Sequence, residues 1–408
     1  MILAEKDQHP RFHIGESLLP MNLPILEQLG VLPQIAAIGV RKCGADFPSR
    51  NGPGYSTFRF ANALTATPDH AFQVKREEFD EILFRNAAAN GVTTHENTRI
   101  ERVVFDALGV RARAETGAGA QFDIHARYLI DATGRDTLLG SALGLKRKHR
   151  KHQSAALYAH FRGVERRPGS DQGNISIYRF AHGWIWMIPL RDEVMSVGVV
   201  CWPDYLRQRR GRGLEFLLET LHAVPEIRSR MPCAQVIGPM YVSGNYSYEC
   251  QRMSGERWLM VGDAFAFIDP IFSSGVFLAM NSAVLAADVV DGSLREPARE
   301  SALQQAYGRE IRRGLGAFSW FIFRFTAPSM RHLFANPRNV FKVEQALISL
   351  LAGDVFRKSS VPIRLLVFKM IYVFHALRHW RSHFGNYWRR RRQARAQFAA
   401  QGPEHDAA

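Results

Sequence analysis

The chain has 408 residues, 46% of them apolar and 22% charged, and this composition excludes a disordered, fibrous or disulfide-stapled protein. Lysine and arginine number 53 against 38 aspartates and glutamates, which makes the protein basic. Eleven of these cations lie between Phe356 and Arg395, where the sequence has no acidic residue, so the excess charge is chiefly a C-terminal feature.

The first 150 residues alternate strand-like and helix-like patterns. Residues 1–5 are typical of a buried parallel strand that ends in an acid. Apolar residues at helical spacing predict helices at 22–29 and 77–90. Strands are expected at 72–75, 99–105, 110–114 and 128–132. The basic run 146–152 is predicted to be an exposed loop.

The middle of the chain is dominated by β patterns. Strands are predicted at 155–161, 175–180, 184–189, 194–201 and 258–261, with one helix at 213–221. A helix is predicted at 274–290, and the remainder from about Ser301 has a helical pattern. No linker or internal repeat separates these regions, so the sequence predicts an interleaved α/β fold of mixed α+β character.

The segment 262–279 is the most specific in the sequence. A strand runs into Gly-Asp at 262–263, and Pro-x-x-Ser-Ser-Gly at 270–275 then opens a helix of small residues. Glycine lets a ligand approach the backbone, and free N–H groups at a helix start attract negative charge. The pattern predicts a site for an anionic or electron-rich ligand, and a tight turn with a serine cap is the alternative.

Together with three other motifs, this segment resembles the flavin-dependent halogenases, within the FAD monooxygenase-like oxidoreductases. The strand and turn at 130–134, Ile-Asp-Ala-Thr-Gly, resemble the "DATG" segment of that class. The resemblance, over roughly residues 1–290, implies a Rossmann-like FAD/NAD(P)-binding domain. It also implies that FAD is held by Glu5 at the adenosine ribose, Ser17 and Arg76 near the flavin, and Asp131, Gly134, Asp263, Pro270, Ser273, Ser274 and Gly275. A generic turn at 133–134 and an exposed surface arginine at Arg76 are the alternatives.

Trp184 and Trp186 carry the distinguishing motif, Gly-Trp-Ile-Trp-Met-Ile-Pro at 183–189. Alternate positions on a strand place both rings on one face, as a broad apolar barrier. The resemblance implies that Trp184, Trp186, Ile188 and Pro189 separate the flavin from the organic substrate, which argues against direct oxygen transfer. Two tryptophans that merely fill a sheet core are the alternative, and related reductases have a similar tract.

Lys42 is the predicted catalytic residue. The segment 41–47, Arg-Lys-Cys-Gly-Ala-Asp-Phe, resembles the halogenase segment in which a lysine lies at the end of a tunnel from the flavin. The resemblance implies that hypohalous acid is passed to Lys42. The ammonium form can hydrogen-bond this acid and the neutral amine can form a haloamine, which partial burial favours by lowering the pKa. A solvated surface lysine is the alternative, and Arg41 is the next candidate.

The implied reaction is halogenation of an electron-rich aromatic in secondary metabolite biosynthesis. FADH2 would come from a separate flavin reductase, and the halide would bind near Ser274 and Gly275. Phe272 stands where tryptophan-type halogenases carry a glutamate, which favours phenolic, pyrrolic or carrier-protein-tethered substrates over free tryptophan. The alternatives are a FAD-dependent monooxygenase or prenyl-lipid-type reductase of the same fold, and an inactive membrane-associated accessory flavoprotein.

The resemblance also implies three interleaved parts. The FAD-binding domain takes 1–70, 93–150 and 250–295, a β-sheet substrate domain takes 71–92 and 151–249, and a helical C-terminal region with the basic tail takes 296–408. The family's G-x-G-x-x-G fingerprint would lie about 25–30 residues before Glu5. We expect a start codon upstream and a chain short by one βα unit; otherwise the FAD pyrophosphate site cannot close.

The segment 356–395 alternates apolar and basic residues. It predicts either a helix on a membrane surface or a docking site for an acidic partner such as an acyl carrier protein; a solvated helix packed on the core is the alternative. No nucleic-acid motif accompanies the charge, so we expect no nucleic-acid partner. Four dispersed cysteines and no signal peptide predict a cytoplasmic protein with reduced thiols and no metal site. The membrane-surface alternative for 356–395 would place it peripherally at the inner face of the membrane.

Overall fold

A mixed eight-stranded β-sheet forms the centre of the protein, in a computed structural model that describes residues 1–49, 54–107, 109–335 and 339–380. The strands of this and four smaller sheets are β1 (Ile2–Ala4), β2 (Val40–Lys42), β3 (Gly44–Pro48), β4 (Tyr55–Arg59), β5 (Ala71–Gln73), β6 (Thr93–His95), β7 (Thr98–Asp106), β8 (Gly109–Thr116), β9 (Gln121–Ala126), β10 (Leu129–Asp131), β11 (Lys146–Arg162), β12 (Ile175–Phe180), β13 (Gly183–Pro189), β14 (Met195–Cys201), β15 (Gln235–Cys250), β16 (Ser254–Gly255), β17 (Trp258–Met260) and β18 (Ala266–Phe267).

Twelve α-helices lie within the described residues. They are α1 (Asn22–Gln28), α2 (Leu32–Ile38), α3 (Arg76–Ala89), α4 (Leu138–Ala142), α5 (Pro203–Leu206), α6 (Gly213–His222), α7 (Pro225–Arg230), α8 (Ser274–Arg295), α9 (Glu300–Ile322), α10 (Pro328–Ala335), α11 (Val343–Ala352) and α12 (Val361–Arg378). The mixed α/β architecture and the helical C-terminal region confirm the predicted fold class.

The strand order in the large sheet is β18-β15-β11-β14-β13-β12-β3-β4. Neighbours run antiparallel, except that β12 and β3 are parallel. Strands β11 and β15 pair along most of their length, with Lys146 opposite Cys250 and Arg162 opposite Gln235. The prediction of a loop at 146–152 is therefore wrong, because these residues belong to β11. Lys146, Arg147 and Lys148 pair with β15, and the register then shifts between Lys148 and Gln153.

Two small sheets, each with one parallel pair of strands, lie in the segments where a Rossmann-like domain is expected. Strand β1 pairs with β6, and β10 pairs with β17. Lys6, just after β1, forms an ion pair with Asp136, just after β10. The ends of the two sheets that carry Glu5 and Asp131 are therefore close to each other. The large sheet takes strands from 44–59 as well as from 146–267, and the proposed domain boundaries stay a prediction.

Each face of the large sheet carries its own apolar core, because side chains alternate along each strand. On β13, Trp184, Trp186 and Ile188 belong to the larger core, which helices α8 to α12 complete. Ile185 and Met187 belong to a second core that α6 and α7 cover. Every residue of β13 is buried, as expected for a strand packed on both faces.

The C-terminal helices form a layer over the larger core. Helix α12 packs against α10 and α11, and α8 packs against α9. Among the helices that the structure describes, α8 alone is long and apolar enough to cross a membrane, and a single such helix is weak evidence for a span. The predicted arginine-rich tail at 389–392 lies outside the described residues.

Candidate functional site

Lys42 ends β2, which pairs with β5 so that Lys42 lies opposite Ala71. The residue is only 2% exposed. Its Nζ donates to the Ser17 Oγ and to the Leu18 carbonyl oxygen, each 2.9 Å away. Burial lowers the pKa of Lys42 to about 7, because the charged form loses its hydration. Near neutral pH the amine therefore exists in both protonation states.

A small cavity adjoins Lys42, with an empty volume of about 250 Å³ that includes open solvent. Lys42 and Ser273 are the two polar residues among the described residues that line it. The remaining lining is apolar and includes Phe47, Phe60 and Phe272. The predicted catalytic residue and the end of the flavin-like motif therefore share one small cavity with largely apolar, partly aromatic walls.

The start of α8 is built as an open binding surface. Ser273 adopts a left-handed backbone with φ of +56°, and no side chain of the described residues caps the helix that begins at Ser274. The Ser274 hydroxyl is buried and finds no hydrogen-bond partner in the part of the chain that the structure describes. A Cβ placed on Gly275 would meet no atom within 4 Å. An orphan hydroxyl, free N–H groups and open space together fit the flavin that the resemblance implies.

Asp263 lies beside this helix because of Gly262. The backbone of Gly262 has φ of +54°, and a Cβ there would lie 2.8 Å from the Cβ of Ala279 on α8. A glycine is therefore needed for the strand and helix to pack this closely. Burial raises the pKa of the Asp263 carboxyl to about 6, against the opposing effect of Arg135 and Arg76. Such a carboxylate can accept hydrogen bonds from the hydroxyls of a bound polar ligand.

Trp184 and Trp186 are both buried, with their ring centroids 5.7 Å apart. The Trp186 Nε1 donates to the Ser196 Oγ at 3.2 Å. Gly198 lies opposite Trp186 in β14, and a Cβ there would lie 2.2 Å from the Trp186 ring. The glycine therefore makes room for the indole. Both rings belong to the same apolar core as the cavity walls, where they form a broad aromatic surface.

Glu5 and Arg76 belong to one network of ion pairs. Arg76 donates to both carboxylate oxygens of Asp80, at 2.8 and 3.0 Å, and to the Ile14 carbonyl oxygen at 3.0 Å. Arg11 joins Asp80 to Glu5, at 3.0 and 3.4 Å. The network holds the chain between β1 and α1 against the first turn of α3. It places Arg76 beside the segment that supplies the partners of the Lys42 ammonium.

The Asp131 carboxylate closes the turn that follows β10. It accepts hydrogen bonds from the Thr133 backbone N–H at 3.0 Å, the Thr133 hydroxyl at 2.6 Å and the Leu139 N–H at 2.8 Å. Gly134 has φ of +59°, and a Cβ there would meet no atom within 4 Å. The carboxylate thus shapes the turn, while the backbone at Gly134 stays accessible to a ligand.

The structure brings part of the predicted set together. Lys42 and Ser273 line one cavity, and Ser17 accepts a hydrogen bond from the Lys42 Nζ. Glu5, Asp131 and Gly134 lie instead at the ends of the small parallel strands. These residues therefore form two groups, one at the cavity and one at the parallel strands.

Two buried polar side chains near the cavity, those of Glu16 and Arg179, are not predicted from the sequence. A Glu16 carboxylate oxygen lies 2.6 Å from the His160 Nε2, and its other oxygen is buried without a partner within the described ranges. Arg179 lies 3.8 Å above the Phe325 ring centroid, and its Nε and Nη2 are buried and unpaired among described residues. Burial lowers the pKa of Arg179 to about 9, with a smaller effect from Arg331. A charged residue inside the apolar pattern of β12 was the available signal.

Comparisons with known proteins agree with one another. A family profile described as "Tryptophan halogenase" matches residues 55–332. The chain is 32% identical to the tryptophan 2-halogenase of Chondromyces crocatus, over 84% of this chain and 68% of that protein. It is 29% identical to the 1H-pyrrole-2-carbonyl-peptidyl-carrier-protein chlorinase of Pseudomonas fluorescens, over 88% of this chain and 85% of the chlorinase. The myxobacterial chondrochloren halogenase CndH has a similar structure, with a TM-score of 0.76 and 30% identity; the match covers 88% of this chain and 86% of CndH.

Proposed function

Because this chain belongs to the flavin-dependent halogenase family, we propose that it halogenates an electron-rich aromatic substrate with FADH2 and a halide ion. Members of this family are FAD-dependent oxidoreductases that depend on a flavin reductase for reduced flavin. When bound, FADH2 supplies the two electrons with which dioxygen becomes an oxidant of the halide. The remaining steps depend on side chains of this protein.

The environment of Lys42 carries the proposal. Its amine is buried and faces a cavity with aromatic walls, and its pKa is lowered to about 7. A lysine that only stabilised the fold would be expected to keep its charge and reach water or a carboxylate. An amine with this pKa is poised to exchange protons near neutral pH, as a group in acid–base or nucleophilic catalysis requires.

The proposed transfer of halogen through Lys42 has two steps. Neutral Lys42 attacks the halogen of hypohalous acid, and a haloamine and water form. The aromatic carbon then takes the halogen as a cation equivalent, its ring proton returns to the nitrogen, and neutral Lys42 is restored. Ser17 and the Leu18 carbonyl accept hydrogen bonds from the Lys42 Nζ and so hold the amine at the cavity.

Other residues would position the reactants and exclude water. The flavin would contact Asp263, Ser274 and Gly275, and the free N–H groups at the start of α8 would hold the halide. Trp184 and Trp186 would keep the organic substrate away from the flavin. This separation favours transfer of a small oxidant over direct contact between flavin and substrate.

We propose that the substrate contains an aromatic ring that is phenolic, pyrrolic or tethered to a carrier protein. Phe272 lines the cavity, so the wall that would face the ring at this position is apolar. The similar Pseudomonas fluorescens chlorinase is named for a pyrrole held on a peptidyl-carrier protein, which supports a carrier-bound substrate. An acyl carrier protein would then be a partner, in addition to the flavin reductase.

The test replaces Lys42 by alanine in the full chain. With photochemically reduced FAD, bromide, a phenolic substrate and excess methionine to consume hypobromous acid that leaves the protein, Lys42→Ala should lower brominated product by about 100-fold or more, since it removes a catalytic group. Flavin reoxidation should continue at the wild-type rate. The exposed Lys148 provides the control, because Lys148→Ala removes a lysine charge from the surface and should leave bromination unchanged.

Unchanged bromination by Lys42→Ala would remove Lys42 from the mechanism. A wild-type protein that makes hydroxylated and no halogenated product would contradict the proposed function, and would favour a FAD-dependent monooxygenase instead. Mass spectrometry of the product separates the two reactions, because bromine adds its isotope pair and hydroxylation adds one oxygen.

A further inference from the structure

Helix α12 presents apolar side chains to solvent as well as to the core. Its inner side, with Leu365, Phe368 and Tyr372, packs against α10, α11 and Trp320. Seven large apolar residues on and just after the helix are each between 49% and 72% exposed: Ile363, Leu366, Met370, Val373, Phe374, Leu377 and Trp380. Their spacing, mostly three or four residues, places them along one side of the helix. We call these seven residues the outer face of α12.

The outer face continues onto the turn before α11. Phe341 is exposed, and Arg364 on α12 donates a hydrogen bond of 3.1 Å to its carbonyl oxygen. Proteins seldom leave an apolar patch of this extent open to water, because transfer of apolar side chains out of water is favourable. The outer face therefore has the composition of an interaction surface.

The charges around the outer face identify its partner. Arg364, Lys369 and Arg378 lie on α12, and the sequence has no acidic residue between 356 and 395. The following segment 381–408 contains six more arginines. A second copy of the chain is disfavoured, because a symmetric contact would bring two cationic segments together. An acidic protein would match the charges, but it would also need an apolar strip that matches seven large side chains.

An anionic bilayer satisfies both features at once. Its acyl chains accept the apolar side chains, and its headgroups attract the lysines and arginines at the rim. Arg364 and Lys369 interrupt the apolar sequence of α12, so the helix is suited to lie on a membrane rather than to cross it. We propose that the outer face of α12 binds the surface of a membrane that contains anionic phospholipids, with the helix axis parallel to the bilayer.

This contact would place the Lys42 cavity close to the membrane. Leu351 of α11 lines the cavity, and Phe334 of α10 packs against the cavity residue Phe272 with ring centroids 6.2 Å apart. Both helices contact α12. The cavity thus lies one helical layer beneath the outer face. The membrane contact does not depend on halogenation, so either proposal can fail without the other.

The test is sedimentation of the full chain with vesicles. Wild-type protein should pellet with phosphatidylcholine vesicles that contain about 30% phosphatidylglycerol, and pellet less with phosphatidylcholine alone. Raising sodium chloride from about 0.1 to 0.5 M should weaken binding by screening. Leu366→Glu with Phe374→Glu should lower the bound fraction about tenfold, since two apolar anchors become anions.

A matched control substitutes two exposed apolar residues elsewhere, Leu214→Glu with Val242→Glu, and should bind as wild type does. Circular dichroism verifies that both double variants keep the fold. Equal binding by the α12 variant, or an equal loss in the control, overturns the proposal. Light scattering tests the alternative of self-association. If the wild-type protein is a dimer and the α12 variant is a monomer, a second copy of the chain occupies the outer face and the proposal is contradicted. Wild-type protein that captures acyl carrier protein through α12 and ignores vesicles would contradict it as well.

Discussion

At the residue scale, Lys42 shows how burial changes the chemistry of an ordinary side chain. A lysine in water has a pKa near 10.5 and is almost wholly charged at neutral pH. In this protein the ammonium loses its hydration and keeps two hydrogen bonds, to a hydroxyl and to a backbone carbonyl. Neither acceptor carries a negative charge that would offset the loss. The pKa falls to about 7 as a result, and the neutral amine becomes available.

The pH dependence of halogenation follows from this pKa. The neutral fraction of Lys42 rises as pH increases through about 7, so halogenated product per flavin reoxidised should rise between about pH 6 and pH 8. Dividing by flavin reoxidation removes the pH dependence of the oxidant supply. A ratio that falls over this range would show that the ammonium is the working form, acting as a hydrogen-bond donor, and would contradict the haloamine step.

At the scale of single elements, the start of α8 leaves backbone N–H groups and space available for a ligand. The helix begins without a side-chain cap, and Gly275 has free space where other residues carry a Cβ. Gly316 in α9 has the same free space but lies in an ordinary helix interior. The two glycines therefore separate the effect of helix propensity from the effect of blocking a binding surface.

Exchanging each glycine for alanine tests the flavin site. Gly275→Ala should leave the melting temperature unchanged or slightly higher, yet weaken FAD binding about tenfold, because overpacking by one methyl costs about 1–3 kcal/mol. Gly316→Ala should stabilise by up to about 1 kcal/mol and leave FAD binding unchanged. Flavin fluorescence titration and thermal unfolding provide the two readouts. Equal FAD affinity for both variants would place the flavin elsewhere.

At the scale of the whole molecule, one aromatic cluster joins the C-terminal helices to the sheet and to the flavin-like motif. Phe334 of α10 is fully buried. Its ring centroid lies 5.3 Å from that of Phe47, 5.5 Å from Phe58 and 6.2 Å from Phe272. These contacts connect β3, β4 and the turn before α8 through a single side chain. The helical layer is therefore part of the larger core and also supports the cavity wall.

Removing this ring should destabilise the entire fold. Phe334→Ala should lower the free energy of unfolding by about 3–5 kcal/mol, because it leaves a cavity in a packed core. The exposed Phe341 offers a control of the same residue type, and Phe341→Ala should change stability by less than about 0.5 kcal/mol. Urea denaturation measures both. A small loss for Phe334→Ala would mean that the helical layer unfolds independently of the sheet.

Local sequence patterns predict the strands and helices whose own residues show a clear periodicity. Strand β12 coincides with its predicted range, β13 and β14 differ from theirs by one residue at the start, and α8 begins at the predicted residue. Alternation and helical periodicity act over a few residues, so they can be recognised without knowing the neighbours. The motif around 262–275 and the tryptophan pair were likewise visible, because their residue types and spacing are unusual.

Long-range contacts decided the rest. Strand β15 and the first part of β11 escaped prediction because each is stabilised by pairing with the other across the sheet, and the sequence of either one contains no record of its partner. The sequence by itself determined which residues are present for chemistry, including Lys42, and that the C-terminal segment is basic and apolar. Only the tertiary structure decided that Lys42 is buried, and that one side of α12 faces water, because burial depends on which distant segments pack against a residue.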